Sequence, residues 1–377
     1  MIYLDEAATT PLRRDVLAAM GPYLGPAFGN PSSHHEIGDA ARAGLEQARA
    51  DVAEALGARP GEVTFTSGGT EAANTALKSI ALAQPRGRHV VVSAVEHPAV
   101  LESARWLGRI GYDVTELAVD GDGLVDPDDL AAVLRDDTTV VSVQHASNEV
   151  GTVQPVAALA AVAARHEVPF HTDAVQSAAW PDHDGLTLDV EALGVQALSL
   201  SAHKLGGPKG VGLLWVRRGV RVEPLRPGGG QPGARRSGTE DVAGAVGLAA
   251  ALRLTHSAGT SAAEVAVRRD RFVAAVLESV PGAALTGHSV RRLPGHASFV
   301  LPGRSGESVL LDLERRGVVC SSGSACHAGS DEPSHVLVAM GVPGEVAQTA
   351  VRFTFGRSVT DEQLADAAQA LADVCGR

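Results

Sequence analysis

The sequence predicts an α/β fold built on a mostly parallel sheet with helices on both of its faces. Short apolar strand patterns alternate with amphipathic helix patterns along residues 33–255, which is typical of βαβ units. Hydrophobic residues make up 45% of the chain, so a large core is available to such a sheet. The length of 377 residues leaves room for a second, smaller unit.

The first helical pattern covers residues 33–57. Apolar residues recur there at helical spacing, namely Ile37, Ala41, Leu45, Ala48, Val52 and Leu56. We predict that Ser33 and Glu36 form a capping box at its start. A short strand over residues 62–66 then leads through a glycine turn into a helix over residues 71–83.

The alternation continues through the middle of the chain. We predict strands over residues 89–95, 112–119, 139–144, 168–172 and 197–200, and helices over residues 98–110, 127–135 and 155–166. Residues 212–216 are expected to form a hairpin-like neighbour of the strand over 197–200. A loop rich in Gly, Pro and Arg at 226–241 precedes a long helix that ends near residue 255.

The last part of the chain predicts a smaller α+β unit. Helix, strand and helix patterns follow one another at 264–279, 296–301 and 306–316. We therefore predict a large domain over residues 15–255 and a small domain formed by residues 1–14 together with residues 256–377.

Charge and cysteine usage exclude several classes of protein. The net charge is −12 and the arginines are scattered, whereas a nucleic-acid-binding protein should show a basic face. No apolar stretch approaches the ~20 residues that a membrane-spanning helix needs, and the first residues lack the pattern of a signal peptide. Three cysteines in a chain of this length do not form a disulfide framework, so we expect a cytoplasmic protein.

Lysine is scarce in this sequence, which contains only Lys78, Lys204 and Lys209. Arginine does not form Schiff bases, so covalent amine chemistry has three candidates. Lys204 follows a strand, is preceded by Ser201 and His203, and is followed by glycines. Partial burial at such a position favours the neutral, nucleophilic amine. A solvated loop position suits Lys78 and Lys209 better.

Two strand ends offer candidate ligand sites. The segment 67–71 (SGGTE) joins a strand to a helix, where N–H groups and the helix dipole favour an anion such as phosphate. An ordinary tight turn is the alternative. Asp173 follows the strand over 168–172, and ligands of open α/β sheets bind beyond such strand ends. Its carboxylate is placed either to pair with a heteroaromatic N–H⁺ or to cap a helix.

Cys326 lies among small residues, SSGSACHAG at 321–329, which we predict to form a mobile loop. A cysteine thiol titrates near ~8.5, so a modestly electropositive setting produces thiolate at neutral pH. Cys320 follows two valines and fits an inert buried thiol better. A metal site formed by Cys320, Cys326 and His327 would lack a fourth ligand.

Three further polar residues are candidates for a site. His97 and Arg352 each have two possible roles, and Asn148 has a local role only. His97 either stacks on a cofactor ring or shapes a turn. Asn148 fits a polar turn. Arg352 lies in an apolar strand, where it either forms an internal salt bridge or binds a substrate carboxylate.

Taken together, these motifs resemble the cysteine desulfurases, a family in the class V aminotransferase group of the fold type I pyridoxal-phosphate (PLP) enzymes. The resemblance covers essentially the whole chain, in order. It rests on residues 3–11, 29–33, 67–71, 96–97, 148–151, 173–176, 201–210, 236–239, 321–326 and 352–357. The SSGSAC string is similar to the family's shorter-loop subgroup. The resemblance implies a mostly parallel sheet of the seven-stranded type in the large domain and an α+β small domain.

The resemblance also implies a role for each motif residue. Lys204 would hold PLP as a Schiff base and then move the Cα proton, and Cys326 would be the nucleophilic thiol. Asp173 would pair with the pyridinium nitrogen, Gln176 would contact the phenolic oxygen of the ring, and His97 would stack on the ring beside the reacting atoms. The other implied ligands are Gly69, Thr70, Ser201 and His203 at the cofactor and its phosphate, Thr239 from a second subunit, and Asn148 and Arg352 at the substrate.

The implied reaction takes sulfur from L-cysteine, giving L-alanine and a persulfide on Cys326 that passes to an acceptor protein. An iron–sulfur scaffold and a tRNA-thiolation protein are the acceptors expected, together with a homodimer and no bound metal. The alternatives are a selenocysteine lyase, another PLP-dependent β-lyase and an aminotransferase of the same fold. A non-enzymatic scaffold is a further alternative, and it would be colourless because it binds no PLP. His327 departs from the family pattern, which more often has a hydroxyl residue there.

Overall fold

A central sheet flanked by helices organises the molecule. The computed structural model describes residues 1–83, 86–183, 185–229, 235–256, 259–322 and 332–376. Its strands are β1 (Ile2–Tyr3), β2 (Val63–Thr66), β3 (His89–Ser93), β4 (Asp113–Leu117), β5 (Thr138–Ser142), β6 (Phe170–Asp173), β7 (Ala197–Ser201), β8 (Gly212–Val216), β9 (Ala284–Leu285), β10 (His296–Val300), β11 (Val318–Val319) and β12 (Ala350–Thr354). Its α-helices are α1 (Arg14–Leu24), α2 (Glu36–Ala55), α3 (Gly69–Ala83), α4 (Pro98–Arg109), α5 (Pro127–Val133), α6 (Val156–Arg165), α7 (Val190–Leu193), α8 (Val242–His256), α9 (Ala262–Ser279), α10 (Gly306–Arg315), α11 (His335–Ala339), α12 (Gly344–Ala347) and α13 (Asp361–Cys375).

The central sheet has seven strands in the order β2-β8-β7-β6-β5-β3-β4. Strand β8 runs antiparallel to both of its neighbours, and the remaining pairs are parallel. The predicted mostly parallel sheet is therefore confirmed. The expected pairing of 197–200 with 212–216 is confirmed as well, because Ala197 lies opposite Val216 in an antiparallel register. The carboxyl ends of β2, β5, β6 and β7 consequently meet at one edge.

Alternating side chains of the strands serve two separate apolar layers. Val90 and Val92 of β3 belong to the cluster beneath α3 and α4, whereas Val91 belongs to the cluster on the opposite face. Every residue of β3, β5 and β7 is buried, as expected for strands covered on both faces. Among the described helices, none is both long and apolar enough to cross a membrane.

Two smaller sheets lie outside the central one. Strand β1 pairs in parallel with β11, and β10 lies between β9 and β12 in antiparallel pairings. An apolar cluster joins them to α9 and α13 and contains Phe272, Phe299 and Phe353, whose rings meet edge to face. The first residues thus pack with the last third of the chain. The exact division into 15–255 and 1–14 plus 256–377 stays a prediction.

The start of α2 differs from the sequence-based expectation. His35 is the N-cap, because its Nδ1 accepts the N–H of Gly38 at 3.1 Å. The Ser33 N–H donates to the Asn30 carbonyl at 3.0 Å in a turn that precedes the helix. The predicted capping box of Ser33 and Glu36 is therefore wrong, since the turn delays the helix until Glu36.

Candidate active site

A cavity of about 320 Å³ opens at the carboxyl edge of the central sheet. We call it the front cavity. Its volume falls within the range of small-ligand sites, roughly 300–1,000 Å³. Ten of the residues singled out from the sequence line it: Gly69, Thr70, His97, Asn148, Asp173, Gln176, Ser201, His203, Lys204 and Arg352. Residues from separate strand ends therefore converge on one space.

Lys204 reaches the front cavity from a 3₁₀ turn, Ala202–Lys204, that directly follows β7. Its half-buried side chain donates hydrogen bonds from Nζ to the carbonyl oxygens of Ala7 and Ala8, the latter at 2.8 Å. Lys78 instead donates to Asn74 on the surface of α3. Of the three lysines, Lys204 alone lines this cavity, which is where a Schiff-base lysine must lie.

Asp173 ends β6 and contributes a carboxylate to the front cavity, with only 8% of the residue exposed. Burial raises the pKa of this carboxyl to about 6, although the Val175 N–H, the Ser199 hydroxyl and the Lys204 ammonium lower it. Its Oδ1 accepts the Val175 N–H at 3.0 Å in an Asx turn. Because the next helical turn begins only at Ser177, Asp173 does not cap a helix.

His97 combines the two roles that the sequence left open. It is the N-cap of α4, where Nδ1 accepts the N–H of Ala99 at 3.1 Å, and its side chain also lines the front cavity. Burial lowers the pKa of the ring to about 4, with smaller contributions from Lys204 and His335. The imidazole is therefore neutral near pH 7, and the hydrogen bond at Nδ1 assigns its proton to Nε2.

The first turn of α3 supplies backbone N–H groups at one end of the front cavity. Helix α3 begins at Gly69, and a Cβ on that residue would lie 2.8 Å from Cγ2 of Val175. The close approach of these two segments therefore requires glycine. Thr70 is the next residue and adds an exposed hydroxyl at the same end.

Ser201 and His203 face this same end from β7 and the turn after it. A neighbouring cavity of about 350 Å³ is lined by both residues and by Gly69 and Thr70. Nδ1 of His203 lies 3.0 Å from the hydroxyl of Thr9. Burial, together with nearby lysine charges, lowers the pKa of His203 to about 4, so the ring is a neutral hydrogen-bonding group.

Arg352 on β12 forms an internal ion pair with Asp5 and also lines the front cavity. One guanidinium nitrogen donates to Oδ1 of Asp5 at 2.8 Å and another to the Asn148 carbonyl at 2.9 Å. The Arg352 side chain is 2% exposed, and its Nε has no hydrogen-bond partner among the described residues. A guanidinium in the wall of the cavity favours an anionic ligand there.

Cys326 and His327 lie outside the described residues. The described chain on either side of them is anchored next to the front cavity. Ser321 forms an isolated bridge with Arg352, and Ser334 donates its hydroxyl hydrogen bond to Glu149 at 2.5 Å. Cys320 is half-buried, and its burial raises the pKa of the thiol.

Thr239 does not line the front cavity of its own chain and is exposed. Its expected contribution from a second subunit stays a prediction. Five residues that line the cavity had no predicted role, namely Ala7, Ala8, Gln144, Ala146 and Val175. The backbone carbonyls of Ala7 and Ala8 accept hydrogen bonds from the Lys204 ammonium. The side chain of a residue does not indicate such a backbone role.

The front cavity has the chemistry that pyridoxal phosphate requires. An amine can bind the aldehyde of that cofactor, and a buried carboxylate can pair with its ring nitrogen. The N–H groups at the start of a helix can bind its phosphate. These groups are Lys204, Asp173 and the Gly69 end of α3. Arg352 adds a guanidinium to the wall of the same cavity, and this group can pair with the carboxylate of an amino acid.

Comparison with known proteins places the whole chain among proteins of one kind. The model of the aminotransferase class-V family matches residues 2–366. The chain is 45% identical over 365 residues to the cysteine desulfurase IscS of Dictyoglomus turgidum, an alignment that covers 96% of this chain and 91% of the relative. It is 43% identical to the cysteine desulfurase IscS of Methanosarcina thermophila, with 96% of this chain and 89% of the relative covered.

Solved structures agree with these relatives. A NifS-like protein superposes with a TM-score of 0.91 at 33% identity, and the match covers 100% of this chain and 99% of the other. The structure of SspA in complex with cysteine superposes with a TM-score of 0.83 at 33% identity, covering 96% and 100%.

Proposed function

Because this chain belongs to the class-V aminotransferase family, and within it is a PLP-dependent cysteine desulfurase, we propose that Lys204 holds the cofactor and that Cys326 receives the sulfur of L-cysteine. The observation that carries the proposal is the convergence of Lys204, Asp173, His97 and Arg352 on the front cavity. Each supplies a different chemical function that the reaction needs.

Three side chains are assigned to the cofactor ring. When bound, pyridoxal phosphate withdraws electrons from the substrate Cα and weakens the bonds around it. The Asp173 carboxylate pairs with the ring nitrogen and holds its proton, which keeps the ring electron-poor. The neutral His97 imidazole covers a ring face, and Gln176, whose amide donates to the Ala7 carbonyl at 3.1 Å, offers its remaining N–H to the phenolic oxygen.

Lys204 has a second task once substrate has taken its place on the cofactor. Its amine lines the front cavity, so it would take the Cα proton of a substrate held there as a general base. Arg352 and Asn148 hold the amino-acid end of L-cysteine, which directs the substrate sulfur away from the anchored carboxylate. The Asp5 carboxylate fixes the Arg352 guanidinium for this purpose.

The short run of chain from Ser321 to Cys326 supports the assignment of the Cys326 thiol to the front cavity. Ser321 is hydrogen-bonded to Arg352, which lines that cavity. Five residues of chain span at most about 17 Å, and Cys326 is five positions beyond Ser321. The Cys326 thiolate attacks the substrate sulfur, so an S–S bond forms as the Cβ–S bond breaks. Cβ becomes the methyl group of L-alanine after protonation.

The destination of the sulfur and the assembly are further parts of the proposal. We assign the persulfide of Cys326 to an acceptor protein of iron–sulfur assembly or tRNA thiolation in the cytoplasm. The exposure of Thr239, outside its own front cavity, supports a homodimer in which this residue reaches the phosphate end of the other subunit. Equilibrium sedimentation of wild type and Thr239→Ala, with cofactor affinity measured alongside, tests this part.

Replacement of the lysines tests the cofactor assignment. Lys204→Ala should lose the yellow colour of the bound cofactor and at least about 10³-fold of the activity, since both covalent attachment and the general base disappear. Lys209→Ala is the matched control and should keep both. Borohydride treatment of the wild type followed by peptide mass spectrometry should find the reduced cofactor on Lys204, and finding it on Lys78 or Lys209 would refute the assignment.

Replacement of the cysteines tests the sulfur assignment and separates the alternatives. Cys326→Ala should remain yellow but release no sulfide from L-cysteine above about 1% of the wild-type rate. Cys375→Ala, at a buried position in α13, should behave like wild type. If Cys326→Ala still releases sulfide from L-cysteine, Cys326 is not the sulfur acceptor. If it releases only selenide from selenocysteine, the enzyme has a lyase activity that does not need the thiol.

A further inference from the structure

Lys204 also borders two further cavities, which we name the inner and the outer rear cavity. The inner rear cavity has about 40 Å³ and is lined by both Lys204 and Glu6. The outer rear cavity has about 590 Å³ and is lined by the same two residues. Ala179 and Trp180 also line both spaces. The inner one exceeds the roughly 10–15 Å³ that a single water needs and has polar groups to bind it.

Glu6 is half-buried and lines both of these spaces. The Gly356 N–H donates to it, and a Cβ at Gly356 would lie 2.5 Å from its Oε2. Glycine at 356 therefore makes room for the carboxyl. Burial raises the pKa of Glu6 to about 7, where a group exchanges protons in both directions at neutral pH.

The charged and titratable groups that face Glu6 leave this carboxyl available for exchange. His296 lines the inner rear cavity and donates from Nε2 to the Glu149 carbonyl, and burial holds its pKa well below the ordinary value. Arg13 and Arg357 line the outer rear cavity, and Arg357 is paired with Asp182 at 2.6 Å.

Tyr3 faces the same carboxyl from β1. Glu6 contributes to raising the pKa of its phenol, together with burial and Asp5. The Tyr3 hydroxyl already donates to backbone carbonyls of Asp5 and Thr9. It is therefore a neutral neighbour of Glu6 at physiological pH.

We propose that Glu6 passes protons between the Lys204 amine and solvent through the two rear cavities while a substrate occupies the front cavity. The inference rests on the proposed role of Lys204. The Lys204 ammonium gives a proton through water in the inner rear cavity to the Glu6 carboxylate. Glu6 then releases it to water in the outer rear cavity, and the reverse sequence returns a proton. No electrons are transferred, and no other reactant is needed.

Exchange of the α-proton of L-alanine with D₂O tests the route in the holoenzyme. This partial reaction requires the Lys204 ammonium to lose a proton before its amine can take the α-proton of an amino acid in the front cavity, and it requires no thiol. Glu6→Gln should slow the exchange about tenfold, since a relay supplies part of the 10²–10⁴-fold typical of acid–base groups. Glu278→Gln, an exposed carboxylate near the end of α9, should exchange at the wild-type rate.

The outcomes separate this inference from the proposed function. Wild-type exchange in Glu6→Gln would overturn the relay and leave the roles of Lys204 and Cys326 untouched. Absence of exchange in the wild type would overturn both the relay and the role of Lys204. Absence of sulfide release with normal exchange would overturn only the role of Cys326.

Two measurements keep the inference testable if Glu6→Gln folds poorly. In the wild-type holoenzyme labelled with ¹³C at glutamate carboxyls, one resonance should titrate near pH 7, and a Glu6 resonance titrating near its ordinary value of about 4.5 would overturn the proposal. Ala179→Val narrows both rear cavities but keeps the carboxyl. It should slow the exchange without altering the visible spectrum of the bound cofactor, and an unchanged exchange rate would argue that protons take another path.

Discussion

Ser321 and Arg352 exchange two backbone hydrogen bonds, from the Ser321 N–H to the Arg352 carbonyl at 3.1 Å and from the Arg352 N–H to the Ser321 carbonyl at 2.6 Å. The Arg352 side chain meanwhile lines the front cavity. One residue of β12 therefore connects the start of the Cys326 segment with the wall to which we assign the substrate carboxylate. Substrate anchoring and thiol attachment depend on the same strand.

Arg352→Gln should raise the KM for L-cysteine about 10–100-fold, because a charge-assisted hydrogen bond to a carboxylate contributes roughly 1.5–3 kcal/mol. Asp5→Asn should raise KM less, since it keeps the guanidinium and removes only the ion pair at 2.8 Å that orients it. Steady-state kinetics measures both. An unchanged KM in Arg352→Gln would mean that Arg352 serves only as the partner of Asp5.

Gly69→Ala should weaken cofactor binding by about 1–3 kcal/mol, the usual cost of an added group in a tight contact. The new Cβ would lie 2.8 Å from Val175 Cγ2. The double variant Gly69→Ala/Val175→Ala removes that methyl group and should recover much of the lost affinity. Fluorescence titration of the cofactor-free enzyme with pyridoxal phosphate gives the dissociation constants.

Gly61→Ala is the matched control for the glycine prediction. No heavy atom lies within 4 Å of a Cβ built at Gly61, so its substitution should leave cofactor affinity unchanged. If Val175→Ala did not rescue Gly69→Ala, the steric explanation would be wrong.

Asp173→Asn should lower cofactor affinity and turnover by roughly 10–100-fold, because an amide does not carry the charge that holds the proton of the ring nitrogen. The change keeps the shape of the side chain and its acceptor for the Val175 N–H. Asp312→Asn on the exposed side of α10 is the control. Visible absorption and turnover are the measurements, and wild-type turnover in Asp173→Asn would contradict the assignment to the ring nitrogen.

Glu6→Gln should stabilise the protein more at pH 8 than at pH 5. The folded pKa of Glu6 is raised to about 7 by burial, above an unfolded value near 4.5, so its stabilising contribution is complete below pH 4.5 and is lost as pH rises to about 7. Glutamine does not ionise and escapes this loss, which amounts to roughly 1–3 kcal/mol. Urea unfolding at the two pH values measures the difference, and an equal effect at both would show that Glu6 titrates normally.

Local sequence patterns were sufficient for the strands and for the residues at their ends. The valine run of β3 and the alternation with amphipathic helices predicted the sheet, because side-chain periodicity is a local property. Asp173 and Lys204 followed from the rule that ligands bind beyond strand ends. Helix α2 was placed correctly in its body but not at its start, where the turn before His35 decided the cap.

Contacts between distant parts of the chain were beyond such patterns. The ion pair of Asp5 and Arg352 joins residues 347 positions apart, and nothing near either residue indicates the other. The same holds for Glu6, whose burial depends on packing against Gly356. The carbonyl groups of Ala7 and Ala8 carry no residue-specific signal at all.

The hydrogen bond from Lys204 to Ala8 spans 196 positions, and that from Arg352 to Asp5 spans 347. During translation, Asp5 and Ala8 leave the ribosome well before Arg352 and Lys204, the residues with which they form hydrogen bonds. A nascent chain therefore has no complete binding site until strand β12 has emerged. The chain should therefore bind its cofactor only late in its synthesis. Fragments that end before β12 should remain colourless, because they lack part of the binding site.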